Sequence, residues 1–323
     1  MNTKIKSIKN KTIDFDINTE EGRFYFNKCI TDNNKNKEYK KEDILNKTIN
    51  GNTFDVLKKI ENNIADLIIA DPPYNIYKNY HGFKFKNSDS LTYEKYTHLW
   101  VENIIPILKD NATLYVCCDW KSSLVIGNVL EQYFKIQNRI TWQREKGRGS
   151  KNNWKNSMED IWFATVSNKY TFNADDVKIR RKVIAPYRNG GKPKDWIETK
   201  EGNFRDTYPS NFWDDISIPY WSMPENTAHS TQKPEKLIAK LILASSNKND
   251  FIFDPFLGSG TTSVAAKKLG RNYLGIEQNK IYCAWAEKRI ENAGNNKEIQ
   301  GYTDNIFWER NSILVQKKIK NGN

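Results

Sequence analysis

The sequence predicts an α/β protein with a doubly wound sheet. Short apolar runs that suit buried strands alternate with stretches of helical periodicity, as expected when crossover helices join the strands. Two of these runs, Ala65–Ala70 and residues 251–253, stop at an aspartate that is followed by proline. Proline has no backbone N–H, so each run ends as a strand there. Because ligands meet an open α/β sheet at the carboxyl ends of its strands, both ends are candidate sites.

Composition restricts the class of protein. The chain has 323 residues, enough for one large α/β domain with an added module, and a formal net charge of +12. Aromatic residues make up 13% of it, and a basic, aromatic chain suits stacking on nucleic-acid bases, although many basic proteins bind no polyanion. No run approaches the roughly 20 apolar residues that span a bilayer, and the polar start is unlike a signal peptide. We therefore expect a cytoplasmic protein without a membrane partner.

The cysteines give no sign of a metal site or of a disulfide framework. There are four, Cys29, Cys117, Cys118 and Cys283, and their spacing matches no metal-binding pattern. Reduced thiols, as in a cytoplasmic protein, are therefore expected. Cys117 and Cys118 are adjacent in a predicted strand and should point to opposite faces of the sheet.

Periodicity and turn residues predict the elements of residues 1–165. Residues 1–48 are rich in Lys and Asn, which predicts a partly mobile arm or loop with one short strand at 22–26. A helix is expected at 93–108, where apolar residues recur on one side. The other predicted elements are strands at 48–52, 65–70, 112–118, 136–142 and 161–165, helices at 53–62 and 119–133, a loop at 75–92 and a turn at 109–111.

The composition of the chain changes at Arg144. Residues 144–194 hold thirteen Lys and Arg against five Asp and Glu, a local net charge of +8, with aromatic residues within and beside them. Periodicity is then lost over residues 166–228, where glycine and proline predict loops and short strands. A solvated surface would have a similar composition, but charge concentrated among aromatics favours a DNA-facing module. The predicted DNA contacts are Arg144, Lys146, Arg148, Lys151, Arg180, Arg181 and Lys182.

The last third of the chain returns to regular alternation. Pro234 lies near the first turn of a predicted helix, where proline is well tolerated. A polar tail over residues 296–323 is expected to be partly ordered around residues 306–308. The elements predicted between these points are a helix ending at 245, a strand at 250–254, a glycine turn, a helix at 263–269, a strand at 273–277 and a helix at 278–293.

The first candidate site follows the strand Ala65–Ala70. Asp71 can accept hydrogen bonds from an amino group, while Pro72 and Pro73 keep carbonyl acceptors but have no N–H. Tyr74 can stack on the face of a planar ring. These residue types suit an exocyclic amino group on a flat heterocycle. A Pro-Pro turn with a capping aspartate would have the same sequence, so the motif alone leaves both interpretations open.

The second candidate site is a glycine turn. Gly258 and Gly260 let the backbone approach a ligand closely, and the helix N–H groups that follow suit a polar cofactor edge. Glu277 lies 17 residues beyond Gly260, where an acid reaches ribose hydroxyls in a βαβ unit. The turn has neither the third glycine of a dinucleotide fingerprint nor the Gly-Lys-Ser/Thr of a P-loop. It therefore predicts a nucleoside cofactor without pyrophosphate, and S-adenosylmethionine fits that description.

Together, Asp71-Pro72-Pro73-Tyr74 and the run from Asp254 to Thr261 resemble motifs of the DNA amino-methyltransferases. The order of catalytic motif, basic segment and cofactor glycines resembles the beta group of that family, which includes restriction–modification enzymes. The resemblance covers about residues 45–295 and implies a Rossmann-like, S-adenosylmethionine-dependent sheet with an inserted target-recognition region. The implied segments are an N-terminal arm (1–48), a catalytic half (49–165), a target-recognition region (166–228), a cofactor-binding half (229–295) and a C-terminal tail (296–323).

The resemblance also implies roles for individual residues. Two positions depart from the family's pattern, because Ser230 stands where Pro is usual and Asn52 where Asp is frequent. The residues that would hold the flipped base are Asp71, Pro72, Pro73 and Tyr74. The implied cofactor contacts are Asn52, Ala70, Asp71, His229, Thr231, Lys233, Asp254, Phe256, Gly258, Ser259, Gly260, Thr261 and Glu277.

The implied activity is site-specific methylation of adenine N6 in double-stranded DNA. Adenine is favoured over cytosine N4 because the cytosine group often has Ser where this chain has Asp71. N4-cytosine methylation and a non-catalytic DNA-binding role on the same scaffold remain alternatives. Methylation of cytosine C5 is excluded, because none of the four cysteines lies beside the Asp71 motif. The resemblance also raises a homodimer and a cognate restriction endonuclease as expected partners.

Overall fold

The computed structural model describes residues 10–34, 36–80, 82–144, 151–184 and 187–321. The α-helices are α1 (Glu20–Phe26), α2 (Lys41–Ile44), α3 (Thr53–Leu57), α4 (Ser90–Ile104), α5 (Trp120–Tyr133), α6 (Glu235–Ser245), α7 (Thr261–Lys268), α8 (Lys280–Asn295) and α9 (Ile313–Asn321). The 3-10 turns are Ile105–Ile107 and Ala174–Val177. The strands are β1 (Ile30–Thr31), β2 (Lys47–Asn50), β3 (Ala65–Ala70), β4 (Lys78–Tyr80), β5 (Phe83–Phe85), β6 (Leu108–Cys118), β7 (Lys135–Gln143), β8 (Met158–Thr165), β9 (Ile179–Lys182), β10 (Arg188–Asn189), β11 (Lys192–Pro193), β12 (Ile197–Thr199), β13 (Gly202–Thr207), β14 (Phe212–Trp213), β15 (Phe251–Asp254), β16 (Asn272–Glu277), β17 (Tyr302–Thr303) and β18 (Ile306–Trp308).

A nine-stranded sheet runs through the centre of the described structure in the order β1-β2-β16-β15-β3-β6-β8-β7-β14. Every neighbouring pair from β1 to β6 is parallel, whereas β8 is antiparallel to both β6 and β7. From β3 the chain adds strands on one side first and on the other side later, so the predicted doubly wound sheet is confirmed. Because β3, β15 and β16 are parallel, their carboxyl ends lie along one edge.

Helices cover both faces of this sheet and create two apolar cores. Trp100 of α4 belongs to the core on one face, and Leu241 of α6 belongs to the core on the other. Within β3, Ile68 points into the first core and Ile69 into the second. A strand buried on both faces is a continuous apolar run, which is why the sequence predicted β3 correctly.

The prediction that Cys117 and Cys118 point to opposite faces of the sheet is also confirmed. Cys117 packs in the core on one face and Cys118 in the core on the other. All four cysteines are free thiols. Within the described residues, no group of His, Cys, Asp and Glu is arranged to hold a metal ion.

The prediction of an arm or loop at the N-terminus is wrong for the part that the structure describes. The strand expected at 22–26 is instead helix α1, because Thr19 caps it by accepting a hydrogen bond from the Gly22 N–H at 3.0 Å. Two glutamates in its first turn also complement the helix dipole. Beyond it, β1 and β2 form one edge of the central sheet, and Ile44 is fully buried.

The turn predicted at 109–111 is also wrong. Helix α4 ends at Ile104, and a 3-10 turn containing Pro106 leads straight into β6, so the polar residues lie inside a strand. The ammonium of Lys109 is held 2.6 Å from the Asp66 carboxylate on the neighbouring strand. Strand pairing and this ion pair outweigh the turn propensity of the local sequence.

The boundaries around residues 75–92 also differ from the prediction. The expected loop contains a hairpin of β4 and β5. Helix α4 begins at Ser90, earlier than expected, because the Asp89 carboxylate caps it by accepting from the Thr92 N–H at 2.9 Å. Helix α3 is shorter than predicted and ends at Leu57.

Part of the region 166–228 and the C-terminal tail together form a second sheet, in the order β12-β13-β9-β18-β17. The tail is thus more extensively structured than the predicted order around residues 306–308. Phe307 is fully buried and packs in a small core with Ala239 and Leu243 of α6. None of the helices that the structure describes is long and apolar enough to cross a membrane.

Candidate active site

The carboxyl ends of β3, β15 and β16 open into one cavity. Asp71, Asp254 and Glu277 mark these three strand ends and all line it. The other predicted residues in the lining are Asn52, Pro72, Pro73, Tyr74, His229, Thr231, Lys233, Phe256, Gly258, Ser259 and Thr261. Ala70 and Gly260 do not line it. Residues of the lining that sequence analysis missed include Phe54, Tyr96, Gln232, Asn279 and Tyr282.

The glycine turn needs its glycines for two different reasons. Gly260 caps α7 with a φ of 87°, and a Cβ there would lie 2.6 Å from the Cβ of Ala286. Gly258 has a φ of 56°, and a Cβ there would lie 3.3 Å from Nε2 of His229. Gly260 therefore permits the turn to pack on α8, and Gly258 brings the backbone close to the cavity wall.

Asp254 holds the shape of this turn. One carboxylate oxygen accepts a hydrogen bond from the Phe256 N–H at 2.9 Å, and the other accepts from the Thr262 hydroxyl at 2.5 Å. Burial raises the pKa of Asp254 to about 7. These contacts are within the protein, so the structure gives Asp254 a supporting role, and its predicted contact with a cofactor stays a prediction.

Glu277 faces the cavity from the end of β16. Its two oxygens accept hydrogen bonds from the backbone N–H groups of Gly258 at 2.9 Å and Asn279 at 2.7 Å. Burial is the main reason that its pKa is raised to about 7. Each oxygen of an ionised carboxylate has a second lone pair, so Glu277 can accept further hydrogen bonds from a ligand.

A buried arginine supports the turn from below. On α8, Arg289 donates to the Ser259 carbonyl at 2.8 Å and to the Thr261 hydroxyl at 3.0 Å, and it also pairs with Glu235 at 3.1 Å. This residue was not predicted from the sequence. The available signal was a cation among the otherwise apolar positions of an amphipathic helix, which is unusual unless the charge is paired.

The loop that carries Ser230 is fixed by side chains and by the N-terminal segment. Gln232 accepts from the Thr227 N–H at 2.9 Å, and Ile13 forms a parallel bridge with Thr227. The ring of His229 packs edge-on against Tyr282, with 4.4 Å between centroids. These contacts hold the loop without the proline that the family usually has at this position.

The Asp71 motif lies in a network of charged side chains. Lys233 places its ammonium 2.6 Å from Asp71 Oδ2, and the Tyr74 hydroxyl donates to Asp71 Oδ1 at 2.9 Å. Lys233 was predicted to contact a cofactor, but in this structure its ammonium binds the Asp71 motif. Glu159, which sequence analysis missed, accepts from the Tyr74 hydroxyl at 3.2 Å and pairs with Arg144.

Tyr74 is nearly buried in this network. Burial and the carboxylates of Asp71 and Glu159 raise the pKa of Tyr74 above its ordinary value, so the phenol is neutral at physiological pH. Its hydroxyl can therefore donate one hydrogen bond and accept another. The predicted stacking of its ring on a base remains a prediction.

Ion pairs offset several of the charges that were predicted to contact DNA. Lys146 and Arg148 lie outside the described residues. The pairs are Arg144–Glu159, Arg180–Asp206, Arg181–Asp214 and Arg181–Glu309. The Arg180 pair is bidentate, at 2.7 and 2.6 Å. These guanidinium groups support the protein itself, which leaves Lys151 and Lys182 as the exposed residues of the predicted set that the structure describes.

The loop between β7 and β8 leaves the sheet at the edge that carries the cavity. Its base is held by a hydrogen bond of 2.7 Å from the Arg144 N–H to the Ser157 carbonyl. Within it, Lys151 and Lys155 are exposed, and Trp154 between them is 94% exposed. The described part of this loop therefore presents cations and an aromatic ring to solvent beside the cavity.

Known proteins match the segment of the chain that carries both motifs. Residues 65–288, more than half of the chain, match the family model described as DNA methylase. The chain belongs to this family. The matched segment of the methylase includes both the Asp71 motif and the glycine turn.

Individual relatives support the same family. Type II methyltransferase M.HpaI of Haemophilus parainfluenzae is 35% identical over 249 residues, covering 76% of the methylase and 74% of the relative. DNA adenine methyltransferase YhdJ of Escherichia coli (strain K12) is 33% identical over 254 residues, which cover 75% of the methylase and 82% of the relative. The crystal structure of an M1.HpyAVI–SAM complex has a TM-score of 0.53 at 24% identity. The match covers 75% of the methylase and 98% of that protein. This likeness shows the fold, and the predictions of family and fold are confirmed.

Replacing Gly260 tests the packing of the turn on α8. Gly260→Ala is expected to lower the free energy of unfolding by about 1–3 kcal/mol, because it combines a positive φ with a contact of 2.6 Å to Ala286. Chemical denaturation measures the decrease. Gly270→Ala is the control, since its φ is 73° but its Cβ meets nothing within 4 Å.

Adding Ala286→Gly to Gly260→Ala removes the contact with the Ala286 Cβ and leaves the contact of 2.9 Å with its Cα, so the double variant should be destabilised by less than the sum of the two single changes. If Gly260→Ala and Gly270→Ala lower the free energy of unfolding equally, the contact with Ala286 contributes nothing to the destabilisation.

Proposed function

We propose that this methylase transfers a methyl group from S-adenosylmethionine to the N6 amino group of adenine in a specific sequence of double-stranded DNA. The observation that carries the proposal is the single cavity lined by both the Asp71 motif and the glycine turn. The name of the relative YhdJ, a DNA adenine methyltransferase, supports adenine as the base. Asp71 in place of the serine that is frequent in N4-cytosine enzymes supports it as well.

The residues of the cavity fit S-adenosylmethionine. When bound, this cofactor supplies an electrophilic methyl group on a positively charged sulfur. We assign Glu277 to the ribose hydroxyls, because its oxygens face the cavity with lone pairs that can still accept. The missing Cβ of Gly258 leaves room for a ligand beside His229. The methionine end would then be held by Phe256, Ser259, Thr261, His229 and Thr231, with Asn52 toward the adenine end.

Asp71 and the Pro72 carbonyl would orient the acceptor. The amino group of adenine is a weak nucleophile because its lone pair is delocalised into the ring. Hydrogen bonds from its N–H groups to Asp71 and Pro72 would direct that lone pair at the methyl carbon, and positioning supplies much of the rate. The nitrogen forms its bond to the methyl carbon as the carbon–sulfur bond breaks. One N–H proton would then pass to the Asp71 carboxylate, which already accepts from that N–H, so that the product is neutral N6-methyladenine.

The acceptor base must leave the duplex to reach this cavity. Extruding a base costs a few kcal/mol, which contacts in the pocket offset. Stacking on Tyr74 is the contact that we propose for the ring face. The exposed cations and the Trp154 ring of the β7–β8 loop are placed to contact the surrounding DNA.

The biological setting is proposed from the resemblance. The relative M.HpaI is named a type II methyltransferase, which supports a role in restriction–modification beside a cognate endonuclease. A homodimer is proposed from the resemblance as well, and a cytoplasmic location is proposed from the cysteines and the polar start of the sequence. Region 166–228 is proposed to read the target sequence.

The base is tested by its product. Incubation with DNA and methyl-labelled S-adenosylmethionine, followed by digestion to nucleosides, is expected to place the label in N6-methyldeoxyadenosine. Asp71→Ala should abolish transfer while DNA binding persists, because it removes an acceptor for the amino group. Label in N4-methyldeoxycytidine would show that the methylated base is cytosine, and the proposed transfer to an amino group would still stand. Label in 5-methyldeoxycytidine, or none in DNA, would refute the proposal.

The role of Glu277 is tested through pH. Affinity for S-adenosylmethionine is expected to rise as pH increases through about 7, the raised pKa of Glu277, because only the ionised carboxylate accepts from both ribose hydroxyls. Titration calorimetry measures the Kd for S-adenosylmethionine at each pH. Glu277→Gln should weaken binding about 10- to 150-fold, the equivalent of one charged hydrogen bond, and reduce the rise.

Asp254 provides the control for this titration, since its pKa is raised into the same range. Asp254→Asn should keep the rise in affinity but move it to lower pH, because the Asp254 carboxylate is one of the groups that raise the pKa of Glu277. If Glu277→Gln keeps the full rise instead, another group binds the ribose.

The DNA surface is tested through salt. Replacing Lys151 and Lys155 with Ala should weaken DNA binding and flatten the slope of log affinity against log salt by about 0.9 for each phosphate that these lysines neutralise. Lys248→Ala is the matched control, because this exposed lysine precedes β15 at the opposite edge of the sheet. If the slope of log affinity against log salt is unchanged, the β7–β8 loop does not contact the DNA phosphates. A flatter slope in Lys182→Ala would show that the second sheet contacts them instead.

A further inference from the structure

A compact charge network lies behind the acceptor motif, and Glu159 is the member that neither motif contains. We define the acceptor network as Asp71, Tyr74, Arg144, Glu159 and Lys233. We propose that Glu159 is a positioning residue for methyl transfer, which balances the charge of Lys233 so that Asp71 remains available to the acceptor amino group. This inference rests on the proposed function and adds a residue to it.

Lys233 is held at three points. Its ammonium is 2.6 Å from Asp71 Oδ2, 3.0 Å from the Tyr74 hydroxyl and 3.3 Å from Glu159 Oε2. The contacts with Asp71 and Tyr74 are hydrogen bonds and the contact with Glu159 is an ion pair, so the ammonium is engaged by three partners. The side chain is only 8% exposed, which leaves little water to replace any partner that is removed.

Glu159 and Asp71 are linked through Tyr74 as well. The hydroxyl of Tyr74 is 2.9 Å from Asp71 Oδ1 and 3.2 Å from Glu159 Oε2, and it has one proton to share between them. The second oxygen of Glu159 pairs with Arg144 at the base of the β7–β8 loop. The side chain of Glu159 is 5% exposed, and the described partners of its carboxylate all belong to the acceptor network.

The formal charges of the acceptor network sum to zero. Asp71 and Glu159 contribute two negative charges, and Lys233 and Arg144 contribute two positive charges. Burial lowers the pKa of Lys233, but the neighbouring carboxylates of Asp71 and Glu159 raise it more, so this lysine is charged at neutral pH. Charges in such a buried site interact more strongly than in water, and an unbalanced one is costly.

This balance matters because the acceptor nitrogen gains positive charge as the new bond forms. Without the charge of Glu159, the network would carry a net positive charge beside that nitrogen. Lys233 would then have Asp71 as its one remaining carboxylate partner and would compete with the amino group for it. Both effects raise the barrier to transfer and leave the cofactor half of the cavity unchanged.

Glu159→Gln is the first test, because it removes the charge and keeps the size. We expect kcat for DNA methylation to fall by about 10- to 100-fold. The Kd for S-adenosylmethionine, measured by calorimetry, should stay within about twofold, because Glu159 lies on the acceptor side. Asp160→Asn is the matched control and should keep the parent kcat. Asp160 is also buried, but its side chain lies on the other face of β8, where it accepts a hydrogen bond from Thr141 of β7.

The double variant Glu159→Gln/Lys233→Met separates charge balance from simple structural support. It returns the network to zero net charge, so kcat should be higher than in Glu159→Gln alone. A structural role predicts the opposite, because the second change removes further contacts. Thermal unfolding of each variant gives an independent measure of structural damage.

The measurements distinguish this inference from the proposed function. If the parent protein methylates no DNA, the proposed function fails first. If the parent is active and Glu159→Gln has the parent kcat, the inference alone is overturned. A double variant as slow as Glu159→Gln, or a Kd for S-adenosylmethionine that rises with the fall in kcat, would also overturn it.

Discussion

The parallel pairing of β15 with β3 and with β16 is the constraint on which the site depends. It brings together strand ends that are far apart in the sequence, so that Asp71, Asp254 and Glu277 share one edge. Only a crossover topology can align strands from both halves of the chain in this way. The Asp71 motif and the glycine turn are therefore fixed relative to each other by backbone hydrogen bonds between strands rather than by flexible loops.

Around this rigid edge, charge is used in two distinct ways. At the cavity, Lys233 and Arg289 are buried and engaged by carboxylates and backbone oxygens. On the second sheet, Arg180 is likewise committed to Asp206. Net charge alone would count all of these as available to a polyanion. The structure shows instead that much of the positive charge stabilises the protein, whereas Lys151 and Lys155 of the β7–β8 loop reach solvent.

Much of the fold and both motifs could be predicted because their signals are local. β3 is an apolar run that only Asp66 interrupts, and the glycine turn combines small residues with a following helix. The acceptor network could not be predicted, because it joins β3, β8 and the loop before α6 through contacts between side chains. Glu159 lies in a part of β8 that precedes the strand predicted at 161–165, so the inward orientation of its side chain could not be predicted. The helix at 22–26 was missed for another reason, since the cap at Thr19 outweighs the β-propensity of the aromatic residues after it.

The position of β18 has a consequence for how this protein can be recombined. This strand comes from the C-terminal tail, yet it lies beside β9 and so completes the sheet built mainly from the region 166–228. Exchange of that region alone between relatives would leave β18 beside a foreign strand and disturb the small core around Phe307. The tail and the region 166–228 therefore form one exchangeable module, although residues 229–295 separate them in sequence.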